Sequence, residues 1–422
     1  MSELATGPVT ETARIQSLDV LRGLALLGIL LLNILGFGLQ SSGYFDPTIG
    51  SGGNPTLNLG VWAFVDILFE GAMRCLFSIL FGAGVVLFAT GAREGRGILH
   101  YKRQFWLFVF GLFNAYVLLW VGDILTVYAL AGACLYLCRN GSAKRLLSAG
   151  IVLVVLISLL NVAQGFGLGL AREAAEAIAA GERVSPETEQ AADVWYEFEA
   201  NYTGADEELV ARRTSFVTAV AWTAEYMTEY FSYTIPVILF WDALAMMLIG
   251  MALYKYGILN AELSVRQYTR LTLAGFAVGL GLNVFEAHKA FASDFDMLVS
   301  FPYFQITYHL GRLGMAFGYL GLVMIACKLM LLPGLRARLS TVGRMALTNY
   351  LMHSAIALFL FTGAGLALVG EMERWALYLI VFAIWLLQLI LSPWWLERYR
   401  FGPAEWLWRA LTYGNRPAMR RD

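Results

Sequence analysis

The chain has 422 residues, of which 59% are hydrophobic and only 14% charged, with a formal net charge of −1. Soluble domains carry roughly a quarter charged residues, so this composition excludes an ordinary water-soluble globule and points to an integral membrane protein. The near-zero net charge gives no electrostatic case for nucleic acid. The four cysteines (Cys75, Cys134, Cys138 and Cys327) lie in apolar stretches, which excludes a disulfide framework and a metal-finger spacing.

About sixteen polar residues open the chain. The apolar run after them exceeds a signal-peptide core and starts with Asp19 and Arg22, so no cleaved signal is expected. Apolar segments long enough, or nearly so, to cross a bilayer as helices follow at roughly 18–39, 59–91, 104–120, 124–138, 147–170, 231–254, 269–287, 305–329, 345–369 and 375–396. The expected fold is all-α, a polytopic membrane protein of about ten transmembrane helices. With the N-terminus inside, 22 of the 30 Lys and Arg residues fall on the cytoplasmic side, which predicts both termini inside.

This divides the chain into an N-terminal five-helix half (1–170), an outward amphipathic loop (171–230), a C-terminal five-helix half (231–398) and a cytoplasmic interfacial tail (399–422). The loop reads either as a spacer or as a lid over an outward-facing site. The glycines of "GFAVG" and "GRLGMAFGYLG" fall at helical spacing and predict close helix packing.

The charges within spans carry the functional reading, because a charge at a helix centre costs on the order of 2.5–3.5 kcal/mol. Asp66, Glu70 and Arg74 are four apart and are expected on one face of one continuous helix, with Glu70 paired to Arg74. Asp123, Asp242, His309 and Arg312 fall at compatible depths and predict a shared polar cavity opening outward. His309 is a candidate general base. Asn349 and His353, four apart on one helix, are candidate substrate-binding groups. At the inner helix starts, Arg14, Asp19, Arg22 and Arg344 form a second polar zone suited to a phosphorylated ligand. No P-loop, GxSxG elbow or HExxH motif is present, and no metal site is expected.

The segments "SLDVLRGLALLGILLLNILGFG", "GAMRCLFSILFGAGVVLF", "GDILTVYAL", "DALAMMLIGMALYKYG", "VGRMALTNYLMHS" and "FGPAEWLWRALTYG" resemble the YeiB-like family of bacterial membrane proteins, domain of unknown function 418, over nearly the whole chain. The opening "SLDVLRGLALLGILLLN" is also similar to the transmembrane acyltransferase superfamily that includes heparan-alpha-glucosaminide N-acetyltransferase. That resemblance implies a multi-pass protein of the bacterial inner membrane that moves an acyl group from cytoplasmic acyl-CoA, such as acetyl-CoA, to a hydroxyl or amine of a small-molecule or glycan acceptor. In this expectation Arg14, Arg22 and Arg344 hold CoA phosphates. His309, Glu70 or Asp66 takes the acceptor's proton, and Arg74 or Arg312 steadies the oxyanion. The chain departs from the heparan enzyme in the loop after the first helix, "LQSSGYFDPTIGSGGNPTLN", which has no histidine. The rival expectation is a transporter or exporter of a small polar or lipid-linked molecule using the same charges. The expected partner in either case is the lipid bilayer; the oligomeric state is left open.

Overall fold

The computed structural model describes residues 15–44, 46–49, 53–89, 96–203 and 205–421. Among these residues the fold is all-α, and seven helical stretches are long and apolar enough to cross a membrane. In chain order the helices are α1 (Gln16–Gly38), α2 (Pro55–Phe69), α3 (Ala72–Ala89), α4 (Arg96–Tyr116), α5 (Leu125–Leu135), α6 (Ala143–Ala179), α7 (Pro186–Thr203), α8 (Ala205–Thr214), α9 (Phe216–Glu229), α10 (Phe240–Lys255), α11 (Val265–Ala292), α12 (Met297–Lys328), α13 (Pro333–Arg344), α14 (Ala346–Phe361), α15 (Arg374–Arg398) and α16 (Pro403–Tyr413). The shorter apolar helices α5 and α14 complete the bundle.

Burial follows membrane logic. α1 is buried along nearly its whole length and forms the axis of the bundle. α6 buries only a stripe in its apolar stretch (Leu146, Gly150, Val154, Ile157, Asn161, Gly165), and α15 does the same (Leu377, Val381, Ile384, Gln388, Ser392, Leu396). Their other faces are apolar and exposed, as lipid-facing helix surfaces are. Small residues set the crossings. A Cβ on Gly82 of α3 would collide with the Met247 carbonyl of α10, and one on Gly250 of α10 with the Ile79 carbonyl of α3. The helices therefore touch backbone to backbone, reciprocally. Gly275 and Gly279 of α11 face Gly314 and Met315 of α12 in the same way, as the glycine spacing predicts.

Two interruptions differ from the expected continuous spans. The first divides 59–91: α2 ends at Phe69, Gly71 takes φ +64°, and α3 restarts at Ala72. That left-handed conformation is open to glycine at little steric cost. Asp66 and Glu70 thus sit on one side of an elbow and Arg74 on the other. The second lies ahead of α10, where residues 230–239 wind as a π-helix containing Pro236, which supplies no N–H to the helical ladder.

The amphipathic segment expected between the two halves is helical. It clamps the end of α1. Arg212 donates to the carbonyls of Gly36 (3.1 Å), Phe37 (2.8 Å) and Leu39 (3.0 Å) and pairs with Glu208 at 2.7 Å. Glu208 in turn accepts the Ser41 N–H at 2.8 Å. These are the carbonyls that a helix C-terminus leaves without intrahelical partners.

Candidate functional site

Two cavities lie end to end along α1. The first, of about 400 Å³, collects most of the charges expected to converge: Asp66, Glu70, Arg74, Asp242, His309 and Arg312 all line it. Glu286, Arg374, Tyr44, Tyr308 and Trp62 complete its polar and aromatic wall. No residue of α7–α9 lines it among the described residues.

Asp242, in the first turn of α10, is the hub. Arg312 grips it with both terminal nitrogens, one at 3.0 Å from Oδ2 and the other on Oδ1, while the Arg74 guanidinium stands 3.8 Å from Oδ2. Bidentate pairing holds the guanidinium plane, so Arg312, only 1% exposed, has a fixed orientation. Its Nη2 also contacts His309 Nδ1 at 2.5 Å. A guanidinium only donates, so Nδ1 accepts and the neutral ring's proton is assigned to Nε2. His309 Nε2 is buried without a partner among the described residues, on a residue that lines the cavity. With that tautomer His309 carries a hydrogen-bond donor at Nε2, and both terminal nitrogens of Arg312 are bonded to Asp242.

The expected Glu70–Arg74 pair is redistributed by the Gly71 elbow. Arg74 donates to the Tyr308 hydroxyl at 3.1 Å. That hydroxyl donates weakly to Glu70 at 3.3 Å, and Tyr44 reaches the other Glu70 oxygen at 3.4 Å. Glu286 accepts a hydrogen bond from Thr307.

The second cavity, of about 240 Å³, is lined by Arg22, Arg103, Arg344 and Arg409, with His100, Tyr128, Trp408 and Glu405. Arg22 pairs with Asp19 at 2.9 Å. The Arg103 guanidinium lies between two rings, 4.6 Å from the Phe88 centroid and 4.7 Å from that of Trp408. α16 is tied to the bundle here: Glu405 accepts the backbone N–H groups of Leu347 and Thr348 at 2.6 and 3.1 Å and the Thr348 hydroxyl at 2.5 Å. Arg14 lies outside the described residues.

The wall between the cavities is thin. On α1, Ile29 lines the arginine cavity and Leu32 the carboxylate cavity; on α3, Phe77 lines the former and Arg74 the latter. Three residues are about 4.5 Å of helix axis. Tyr128 closes this wall with its hydroxyl 2.5 Å from Ser78 Oγ and 3.3 Å from the Arg74 carbonyl.

Besides Asp19, which pairs with Arg22, three expected site residues line neither cavity. Asp123 caps α5 through the Thr126 N–H at 2.9 Å and holds Asn114 at 2.9 Å. Asn349 donates to Val342 O and Ser392 Oγ, and His353 contacts Gln388 at 3.1 Å, which ties α14 to α15. Glu286 and Arg374 line the carboxylate cavity and Arg103 the arginine cavity, although none of the three was among the expected site residues.

Comparisons with known proteins agree with the resemblance to the YeiB-like family. Residues 253–415 match the family described as "Protein of unknown function (DUF418)". The chain is 31% identical over 418 residues to "Uncharacterized protein YxaH" of Bacillus subtilis (strain 168), covering 96% of each chain. It is 31% identical over 403 residues to "Uncharacterized protein YeiB" of Escherichia coli (strain K12), covering 94% of this chain and 95% of that one. No solved structure matches. With near-full-length relatives at this identity, an all-α membrane architecture and a family match across its C-terminal half, the chain belongs to the YeiB-like DUF418 family.

Proposed function

We propose that the protein is a group transferase of the cytoplasmic membrane, taking an acyl group from a phosphate-bearing donor such as acyl-CoA in the arginine cavity to a hydroxyl or amine acceptor in the carboxylate cavity. The observation that carries this reading is the end-to-end pair of cavities, chemically opposite and one helical turn apart on both α1 and α3. The basic-residue distribution turns the arginine cavity towards the cytoplasm. Arg22, Arg103, Arg344 and Arg409 would hold the donor's phosphates. The donor thioester supplies the acyl group: the acceptor's lone pair forms the new bond to the carbonyl carbon, the C–S bond breaks, and the thiolate leaves with the sulfur electrons. Asp66 or Glu70 takes the acceptor's proton, and the Nε2–H of His309 donates to the carbonyl oxygen as negative charge develops there. Arg312 and Asp242 position His309. Calorimetry of the purified chain in nanodiscs with acetyl-CoA and longer acyl-CoAs tests this. Binding that weakens when the cavity arginines are replaced supports the reading, and no binding by any acyl-CoA overturns it.

A second reading, a transporter, is favoured by one specific observation. The Gly71 elbow and the π-turn before α10 both interrupt helices beside the carboxylate cavity, as the broken helices of transporters do. It predicts solute flux in proteoliposomes without any acylated product.

A further inference from the structure

The carboxylate cavity divides into two walls, and the partners on each say what fits between them. On one wall Asp242 is shared by Arg312 and Arg74. On the other, Asp66, Glu70 and Glu286 face the same space; Arg374 is the cation that acts on Asp66, Arg74 is linked to Glu70 through Tyr308, and no cation acts on Glu286 among the described residues. Arg374 donates to the Gly43 carbonyl through Nη2, while its Nη1 has no partner among the described residues. Glu70 and Glu286 receive neutral hydroxyl donors, and Asp66 is met by the charge of Arg374 with no side-chain hydrogen bond among the described residues. Ionised, the four carboxylates and three guanidiniums lining this cavity leave one negative charge uncompensated. Within a membrane an uncompensated carboxylate is costly, and a single ligand cation removes that cost. A second feature is independent of charge: His309, 3% exposed, directs no bond from Nε2 to any protein atom among the described residues. A ligand oxygen beside the cation would satisfy it.

We propose that this wall seats a protonated amine carrying a neighbouring oxygen, with the ammonium on Asp66 and Glu286 and the oxygen facing His309. This deepens the transferase reading by naming the acceptor class, and the site would serve a transported amine equally. The chemistry is that of an amino alcohol, either as a free solute or as a lipid headgroup.

The test is saturation-transfer NMR on the full chain in nanodiscs, with ethanolamine, ethylene glycol and glycolate as probes. Ethanolamine should bind about tenfold more tightly than ethylene glycol, the equivalent of one charge-assisted hydrogen bond, and glycolate should not bind. The Asp66→Asn/Glu286→Gln variant should lose the ethanolamine signal, while Glu187→Gln, exposed on α7, should keep it. Equal binding of ethanolamine and ethylene glycol by the wild-type chain overturns the proposal whatever the variants do, as does an ethanolamine signal that survives in the double variant. Discs of phosphatidylethanolamine against phosphatidylglycerol separate the sources: competition by the former identifies the headgroup, and its absence a free solute. Acyl-CoA calorimetry in the same discs reports on the arginine cavity alone, so failure of the transferase reading remains distinguishable from failure of this one.

Discussion

Arg312 holds His309 by Nδ1, three residues away on the same helix, and so decides which of the two imidazole nitrogens can serve a ligand. His309→Gln keeps an N–H donor near the Nε2 position but provides no base. His309→Ala removes the donor. If Nε2–H steadies developing charge, the Gln variant retains turnover within about tenfold while the Ala variant loses about 10²–10³-fold in kcat. Equal losses in the two variants would return His309 to the role of base.

Asp242 offers a prediction on stability. It is the countercharge of the fully buried Arg312, and Asp242→Asn leaves that guanidinium without one. Breaking one side of a buried pair costs on the order of 3–5 kcal/mol, and replacing both partners restores most of it. Thermal unfolding in nanodiscs should therefore show Asp242→Asn far below wild type, with Asp242→Asn/Arg312→Gln recovering at least half of the loss. A double variant no better than the single one would show that Arg312 is stabilised by other groups.

How much of this was legible in the sequence follows from the range of each interaction. Helix positions and inward stripes are written in apolar periodicity, and α1, α6, α11 and α15 lie close to the expected segments. The convergence of Asp66, Glu70, Arg74, Asp242, His309 and Arg312 was legible because charges in spans must share a cavity or a partner. The elbow was not: a single positive φ at Gly71 leaves no trace between "DILFE" and "AMRCLF". Asp123, Asn349 and His353 were read as site residues because a polar residue in a span looks the same whether it serves a ligand or a neighbouring helix. Only their partners, Thr126, Ser392 and Gln388, separate the two. The role of Arg212 rests on carbonyls about 175 residues earlier in the chain, beyond the reach of any local pattern.

The elbow itself is testable. A Cβ at Gly71 would lie 2.8 Å from the Tyr308 hydroxyl and 3.1 Å from Arg312 Cδ, and the left-handed φ adds roughly 1–2 kcal/mol for any other residue. Gly71→Ala should lower the unfolding temperature and weaken ligand binding in the carboxylate cavity together, because Tyr308 bridges Arg74 and Glu70. Gly60→Ala on α2, where a Cβ meets nothing within 4 Å, should be neutral or stabilising by up to about 1 kcal/mol. Matching losses at the two positions would remove the elbow from the argument.

The α8 clamp predicts non-additivity. Arg212→Ala removes the donors from three carbonyls of α1 and leaves Glu208 buried without its cation. Glu208→Ala leaves the arginine on those carbonyls but also strips the Ser41 N–H of its acceptor. Residues of one network couple by about 0.5–3 kcal/mol. The double variant should therefore be less destabilised than the sum of the singles in thermal unfolding, and strict additivity would mean that the two side chains act independently on α1.

Arg103 separates a binding arginine from a topology arginine. Both readings require a positive charge, but only the first requires the guanidinium to remain flat between Phe88 and Trp408. Lysine preserves charge and orientation in the membrane, yet it is a point charge that neither stacks as a plane nor presents a fork to phosphate. A cation–π contact of a partly desolvated arginine contributes about 1–2 kcal/mol, so Arg103→Lys should weaken acyl-CoA binding by roughly tenfold and Arg103→Gln by more. The salt dependence of binding should flatten in the Gln variant and persist in the Lys variant, because only the former removes a charge from the cavity. If Lys binds as wild type does, the rings merely cover the arginine stem, and the donor's phosphates are met by Arg22, Arg344 and Arg409 alone.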